Sequence, residues 1–491
     1  MKYSCSPVYR KASALPQLRF QHQQLASFAG LVILQQFFAR IRLAKRLRAC
    51  FRGLSRGIYR PATLFVQLVL HLLLGFRELR HLEHYRDDPL IQRLLGLARL
   101  PSASTLSRML SRMTPRGLER LRALLRSMVL ERLAPCRPAR VTLDFDGSVQ
   151  AARRHAEGTA VGYNPKRKGS RSYYPLFCTV AQTSQVLDLN HRPRNVHDSN
   201  GAGRFILDCV AAVRAALPGV CIEVRLDSAF FSDEIESGVQ EAGVEFTISV
   251  PFERFAELKR LIEECRRWRR MDGQTWYDET LWKPQRRTAA SWFRRHWQTW
   301  YDETLWRPQA WDDRFRFVLV RTLTSEQRKG PIQLDLFAPY EYGYDFKVIV
   351  SNKPQTAACL VRYHEGRGSQ EGLFGELKSH CHLNYVPVRR LRGNQTDLLA
   401  GLFAHHLMRE LQMATTPRSR GTTWQRAPMW AFEKADTLRR TVLQRAGRLT
   451  RPNGTLVLTI AAAASLKQRI LTTLAALERP RSMLPFLQRW G

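Results

Sequence analysis

Three stretches of the 491-residue chain place carboxylates where chemistry is commonly done. In "VTLDFDGS" the residues Val141, Leu143 and Phe145 alternate with Thr142, Asp144 and Asp146, the period of a β-strand. Both aspartates therefore project from one face, and Gly147 and Ser148 then turn the chain. In "VCIEVRLDSAFFS", Asp227 ends a second apolar run. In "YHEGRGSQEGLFGELKSH", Tyr363 to His380, the glutamates Glu365, Glu371 and Glu376 lie among Arg367 and Lys378. Strand ends beside turns are where α/β folds hold reactive groups. Carboxylates converging from two strand ends and a helix suit Mg²⁺, a hard cation held by few carboxylates plus water and substrate phosphate. Two such ions would activate the attacking oxygen and stabilise the leaving one in phosphodiester chemistry. The bland reading of each aspartate is a turn former, and Asp227 before Ser228 also reads as a helix cap.

Helix geometry separates the glutamates. At ~100° per residue, Lys378 falls ~20° and Arg367 ~40° from Glu371, whereas Glu365 and Glu376 fall ~120° and ~140° away. Glu371 alone shares a face with both cations; Glu365 and Glu376 read as solvated or structural. Gly372 and Gly375 are poor helix formers, but they would let this helix lie close to a sheet. Gly366 and Gly368 leave open a loop around Arg367.

The elements that must position these groups form distinct regions. Residues 1–138 carry few strand signals and read as a basic helical DNA-binding region. Met1 to Arg140 holds 26 Lys+Arg against 6 Asp+Glu. Ser102 or Ser104 can cap a helix with Leu106, Met109, Leu110 and Met113 on one face and Arg108 and Arg112 off it. That helix fits the second helix of a helix-turn-helix, and it equally fits any amphipathic helix after a Ser-rich turn. Strands alternating with helices over 139–252 indicate an α/β layer with partly parallel strands. Residues 253–345 break the rhythm as an insertion subdomain. It contains "QTWYDETLWKPQ" (Gln274 to Gln285) and "QTWYDETLWRPQ" (Gln298 to Gln309), a 24-residue duplication occurring only twice. The second copy runs into "RFRFVLVR" and is expected to be the integrated one. Tryptophans crowd this region beside arginines, which suits either base stacking or packing of a small subdomain. Residues 346–414 return to the core with the Glu371 helix and the strong helix "QTDLLAGLFAHHLMRELQM". Residues 415–491 are basic again, with 14 Lys+Arg and 3 Asp+Glu.

Overall the chain carries 78 Lys+Arg against 42 Asp+Glu, a net charge of +36, which points to a polyanionic partner. Its 44% hydrophobic content excludes a disordered chain. The nine scattered cysteines form no C-x-x-C pair, which argues against a zinc ribbon and fits reduced thiols in a cytosol. His380-Cys381-His382 has no second half and reads as a polar loop. The longest apolar run, Leu64 to Phe76, is short of the ~20 residues of a spanning helix and reads as a buried one. The N-terminus shows no secretion signal.

"LDFDGS", "RLDSAFFS" and "YHEGRGSQEGLFGELK" resemble the three catalytic blocks of bacterial insertion-sequence transposases of the DDE class. The last resembles a Tyr-Arg-Glu-Lys signature, with Tyr363, Arg367, Glu371 and Lys378 in its order and one extra residue between Tyr363 and Arg367. "GTAVGYNPKRKGSRSYYPL", Gly158 to Leu176, is similar to the insertion-sequence family numbered thirteen-eighty. The resemblance implies an RNase H-like α/β core, a mixed sheet flanked by helices with an inserted subdomain. It also implies that Asp146, Asp227 and Glu371 hold two Mg²⁺ ions, for which Mn²⁺ would substitute, and that Tyr363, Arg367 and Lys378 contact DNA. Asp146 is preferred over Asp144 because the family's aspartate directly precedes a small residue and Ser/Thr. Asp146 and Asp227 are 81 residues apart, and Glu371 follows 144 residues later, a gap that accommodates the insertion. The implied activity is metal-dependent cleavage at element ends and strand transfer into target DNA. The implied partners are double-stranded DNA, as terminal inverted repeats and target, and at least a second copy of the chain. No membrane is involved, and the expected location is the bacterial cytoplasm, at the nucleoid. The alternatives are an inactive or repurposed DNA-binding relative and a structure-selective nuclease on the same fold.

Overall fold

The computed structural model describes residues 18, 23–54, 57–152, 155–162, 169–195, 201–265, 268–271, 299–306, 315–323, 344–461 and 463–479. The first copy of the duplication, with its tryptophans, lies outside the described residues. The helices central to the fold are α1 (Leu31–Arg40), α2 (Leu43–Cys50), α3 (Pro61–Leu73), α4 (Ala103–Ser111), α5 (Pro115–Leu133), α6 (Ala202–Ala216), α7 (Asp233–Glu241), α8 (Ala357–Glu365), α9 (Ser369–His380), α10 (Leu391–Thr415) and α11 (Ala464–Glu478). The main sheet contains β1 (Arg140–Gly147), β2 (Leu176–Val180), β3 (Gln185–Asn190), β4 (Cys221–Leu226), β5 (Glu245–Val250), β6 (Arg269–Arg270), β7 (Thr299–Trp306), β8 (Phe315–Leu323) and β9 (Tyr344–Ser351).

Its order is β6-β7-β8-β9-β5-β4-β1-β2-β3. β1, β4 and β5 are parallel neighbours, and all other pairs are antiparallel. The alternation read in β1 recurs in β4 and β5. On one face Val141, Leu143, Phe145, Ile222, Val224, Leu226, Phe246 and Ile248 form a core with Phe205, Ile206 and Val210 of α6. The opposite face is polar, yet it too is buried: Thr142, Glu223, Arg225 and Thr247 are fully covered. Alternation usually marks a strand with one wet face. Here helices and a loop cover the polar face, so every group on it needs a partner.

The described part of 253–345 does not stand apart. β7, which comes from the second copy of the duplication, and β8 continue the main sheet beyond β9. The expected borders at 138 and 414 also do not separate cores. Leu64, Phe65 and Leu68 of α3 and Leu106 and Leu110 of α4 share one apolar cluster with Leu399, Phe403 and Leu407 of α10 and Ile470 of α11. Leu25–Ala26 pairs with Gly447–Thr450, which pairs with Val457–Ile460. The apolar run from Leu64 is the buried helix α3, started by Pro61 at its first position. Among the described residues no helix is long and apolar enough to cross a membrane.

Ser102 caps α4, accepting a bond from the Thr105 backbone N–H at 3.4 Å. Leu106, Met109, Leu110 and Met113 are buried, while Arg108 and Arg112 are exposed. Thr114 caps α5 in the same way, receiving the Gly117 N–H at 3.1 Å.

Candidate active site

Parallel pairing of β1 with β4 sets the site. Asp144 is registered opposite Arg225, and Asp146 and Asp227 each lie two residues further along. A side-chain period of two keeps all four on the same face. Neighbouring strands lie about 4.8 Å apart, so Asp146 and Asp227 stand side by side at the strand ends.

The structure gives the two aspartates of β1 different surroundings. Asp144 is 1% exposed, and Arg225 is fully buried against it. Arg225 Nε and Nη2 donate to the two Asp144 oxygens at 2.5 and 2.8 Å. Burial pushes the Asp144 carboxyl up, and the Arg225 guanidinium opposes it. Burial also works against the Arg225 charge, but Asp144 outweighs it and raises the guanidinium pKa. Two short, charge-assisted bonds make the pair ionic. Asp144 is thereby committed to a structural contact.

Asp146 and Asp227 keep side chains 21% and 27% exposed. One Nη1 atom, that of Arg367, lies 3.8 Å from an Asp146 oxygen and 3.9 Å from an Asp227 oxygen. Asp227 also caps the short turn after β4, accepting the Ala229 N–H at 2.9 Å. The capping reading is therefore realised through one oxygen, while the other faces Arg367.

Arg367 sits in a single 3-10 turn, Gly366–Gly368, between α8 and α9. The rotation angle computed from a continuous helix does not apply to it. It reaches the aspartates because the turn is packed against the sheet. A Cβ on Gly366 would collide with the Gln425 carbonyl and the Arg225 guanidinium. Gly372 and Gly375, expected to permit close approach, instead face open space. The helix α9 approaches the sheet through side chains. Gln370 Nε2 donates to the Asp144 carbonyl and to Thr179 Oγ1, both at 3.0 Å. Phe374 packs on Phe177 with ring centroids 5.3 Å apart.

Glu371 is exposed in the first turn of α9, next to the anchored Gln370, and Lys378 is half-buried two turns on. Glu376 is structural. It is 9% exposed, pairs with Arg409 at 2.5 Å and accepts the Ala435 N–H at 2.8 Å. Glu365 is exposed. Among the described residues no three His, Cys, Asp or Glu side chains are gathered as a metal cluster. Asp146 and Asp227 nonetheless offer the donors that Mg²⁺ takes when water and substrate phosphate complete its shell.

Tyr363 requires a correction. The expected DNA contact is 1% exposed, and its hydroxyl has no hydrogen-bond partner among the described residues. Its ring lies under three cations, with Lys353 Nζ at 4.5 Å, the Arg225 guanidinium at 5.2 Å and that of Arg426 at 5.3 Å. A residue so enclosed cannot touch nucleic acid in this conformation.

The groups beneath the site escaped sequence reasoning. Glu223 is fully buried and accepts bonds from Thr142, Lys353, Arg140 and Arg426 at 2.8–3.0 Å. Burial opposes its charge, but the bonds from Arg426 and Lys353 hold its pKa down to about 2. Lys347 lies within electrostatic range of Arg367 and Glu365; desolvation and Arg367 lower its pKa, and Glu365 opposes them. One signal was available for Arg225: it precedes Asp227 by two residues, as Asp144 precedes Asp146. Nothing local marked Arg426, which lies 203 residues beyond Glu223.

A family model described as transposase DDE domain group 1 matches residues 12–482. No curated protein matches the chain. Among solved structures it is similar to a piggyBac transposase synaptic complex with hairpin DNA. Identity is 11% over 92% of this chain and 86% of that one, with a TM-score of 0.36. It is also similar to the Drosophila P element transposase strand transfer complex, at 12% identity over 50% and 52% of the two chains and a TM-score of 0.22. A Mos1 mariner paired end complex with Mn gives 12% identity over 40% and 60%, with a TM-score of 0.16. Likeness at these scores is remote.

Proposed function

The chain belongs to the transposase DDE domain group 1 family, and from that premise we propose that it cuts DNA at insertion-sequence ends and joins the freed 3′-hydroxyl to target DNA. The observation that carries this is the pair Asp146 and Asp227, level with each other at the ends of parallel strands and facing one arginine. In this reading residues 139–252 and 346–414 form an RNase H-like core with 253–345 inserted between them. The mixed sheet, aspartates on adjacent strands and a glutamate on a following helix all support it.

Asp146 and Asp227 would hold Mg²⁺, with Glu371 as the third carboxylate and Mn²⁺ as a substitute. The metal would supply an activated oxygen nucleophile and charge stabilisation on the leaving oxygen. Arg367 would bind the phosphate being cut, and Lys378, on the Glu371 side of α9, a neighbouring one. Arg108 and Arg112, exposed on the N-terminal helices, would grip backbone phosphates of the duplex. Holding two element ends together calls for at least two copies of the chain.

The test is nicking and joining of cognate end DNA in Mg²⁺ and in Mn²⁺. Wild-type protein should yield both nicked and joined products. Asp227→Asn and Glu371→Gln should yield neither while still binding the DNA. Cleavage by either variant would remove the assignment, and clean cleavage with no joined product would favour the nuclease reading.

A further inference from the structure

The guanidinium of Arg225 does more than neutralise Asp144. Its remaining nitrogen, Nη1, donates to the Tyr363 carbonyl at 2.8 Å and to the Gln425 carbonyl at 3.0 Å. One buried side chain therefore ties three parts of the chain together: β1 through Asp144, the end of α8 through Tyr363, and a distant loop through Gln425. That loop is itself pinned into the sheet. Arg426 adopts a left-handed backbone, φ 56°, and donates two bonds to Glu223 at 2.9 and 2.8 Å. Three residues on, the Met429 N–H donates to the Gln182 carbonyl at 2.9 Å. Gly366, one residue before Arg367, fits between the Gln425 carbonyl and Arg225 only because it lacks a Cβ.

We propose that Arg225 is a positioning residue which, with the Gln425–Arg426 loop as a strap, sets the place of Arg367 against Asp146 and Asp227. The inference rests on the reading of that site as the DNA-cutting centre. The strap belongs to residues 415–491, which the sequence marked only as basic, so it gives part of that region a task. Arg367 held in place does two opposing things. It repels a cation entering between the aspartates, and it holds the phosphate once DNA arrives. Releasing it should tighten metal binding and slow cutting together, a combination that simple loss of structure does not produce.

The test uses the full-length protein and two variants. Arg225→Lys keeps the charge and loses the fork. Gly366→Ala pushes the turn off the strap and removes no charge. Mn²⁺ binding to protein alone is followed by electron paramagnetic resonance titration, and nicking of end DNA is followed as kcat and KM. Two unit charges at 4 Å in water interact by about 1 kcal/mol, or about fivefold in affinity, so Mn²⁺ should bind about fivefold tighter. Displacing the phosphate-binding arginine by about 1 Å should lower kcat by about 100-fold, with little change in KM. Folded variants whose Mn²⁺ affinity and kcat both match wild type overturn the proposal, as do variants that lose both in step with their thermal stability. If Arg225→Lys does not fold, Gly366→Ala decides alone. Wild-type protein that binds Mn²⁺ but nicks no DNA sinks the transposase reading, while the Mn²⁺ comparison still measures the positioning.

Discussion

Asp144 and Asp146 differ by two residues in sequence and should differ in kind when mutated. Changing Asp144 to Asn removes the charge facing a fully buried Arg225 whose partner oxygens lie at 2.5 and 2.8 Å. Breaking one side of a buried ion pair leaves the other charge uncompensated, at about 3–5 kcal/mol. Asn retains one acceptor, so the lower end is expected. Asp146 has a side chain 21% exposed and ion-pair distances near 4 Å. Its change to Asn should therefore stay within about 0.5 kcal/mol, as for ordinary surface positions. Thermal unfolding followed by fluorescence reports the first quantity; in a chain this long, about 3 kcal/mol corresponds to a drop on the order of 5 °C. Nicking of end DNA reports the second. Asp144→Asn should lose several degrees and still cut when assayed well below its transition, because Arg225 keeps its bonds to the Tyr363 and Gln425 carbonyls. Asp146→Asn should melt with wild type and cut nothing. Equal melting temperatures for the two variants would refute the division of roles, and so would cutting by Asp146→Asn.

Tyr363→Phe should bind DNA and cut like wild type, because the hydroxyl has no hydrogen-bond partner among the described residues; Tyr363→Ala should destabilise the protein by about 3–5 kcal/mol through the cavity it leaves. A selective loss of DNA affinity in Tyr363→Phe would restore the contact that burial rules out. Glu223 has its pKa held at about 2, below that of an unfolded glutamate, so its contribution is present above pH ~4.5 and is lost as pH falls through about 2. Glu223→Gln should therefore lose about 3 kcal/mol at pH 7 and converge with wild type in acid denaturation curves near pH 2. Glu236 is the reverse case. It is fully buried with neither oxygen bonded among the described residues, and burial, then Asp233, raises its pKa to about 9. Its folded state holds a proton the unfolded state releases, so stability falls as pH rises from about 4.5 to 9, and Glu236→Gln should gain on the order of a few kcal/mol at pH 8 and nothing at pH 4. Arg108→Ala and Arg112→Ala should each reduce the salt dependence of DNA binding by about one phosphate contact, similarly for all sequences; unchanged slopes would remove them from the interface.

Local pattern made much of the scaffold readable. The alternation Val141, Leu143, Phe145 identified β1 and the face that Asp144 and Asp146 share, and the Ser102/Ser104 pair marked the start of α4, which Ser102 caps. Asp227 was readable as a strand-end carboxylate because the apolar run before it is short and sharply ended. Period alone could not say that the polar face would be buried. That depends on Arg426, Lys353 and Tyr363, which arrive from more than a hundred residues away. For the same reason nothing local opposed the DNA contact that the resemblance implied for Tyr363, and the close-approach glycine was sought at Gly372 and Gly375 rather than at Gly366. A glycine's neighbour across a packing gap leaves no trace in the residues beside it. Glu371 was singled out by its helix face alone, and it lies exposed in the first turn of α9.

The sharing of one apolar cluster by α3, α4 and α10 bears on the order of events during synthesis. Phe65 packs edge-on against Phe403, with ring centroids 5.5 Å apart. At about 5–20 residues per second, the ribosome needs roughly 20–70 s to travel between them. Throughout that interval the part of α3 that faces α10 has no permanent cover, and the basic N-terminal third cannot finish its fold. The basic N-terminal third thus reaches its final form only after the segment carrying Arg367 and Glu371 has been made. A chain cut short before α10 would leave the ribosome with an open apolar face, a target for chaperones and proteases rather than a free DNA-binding fragment.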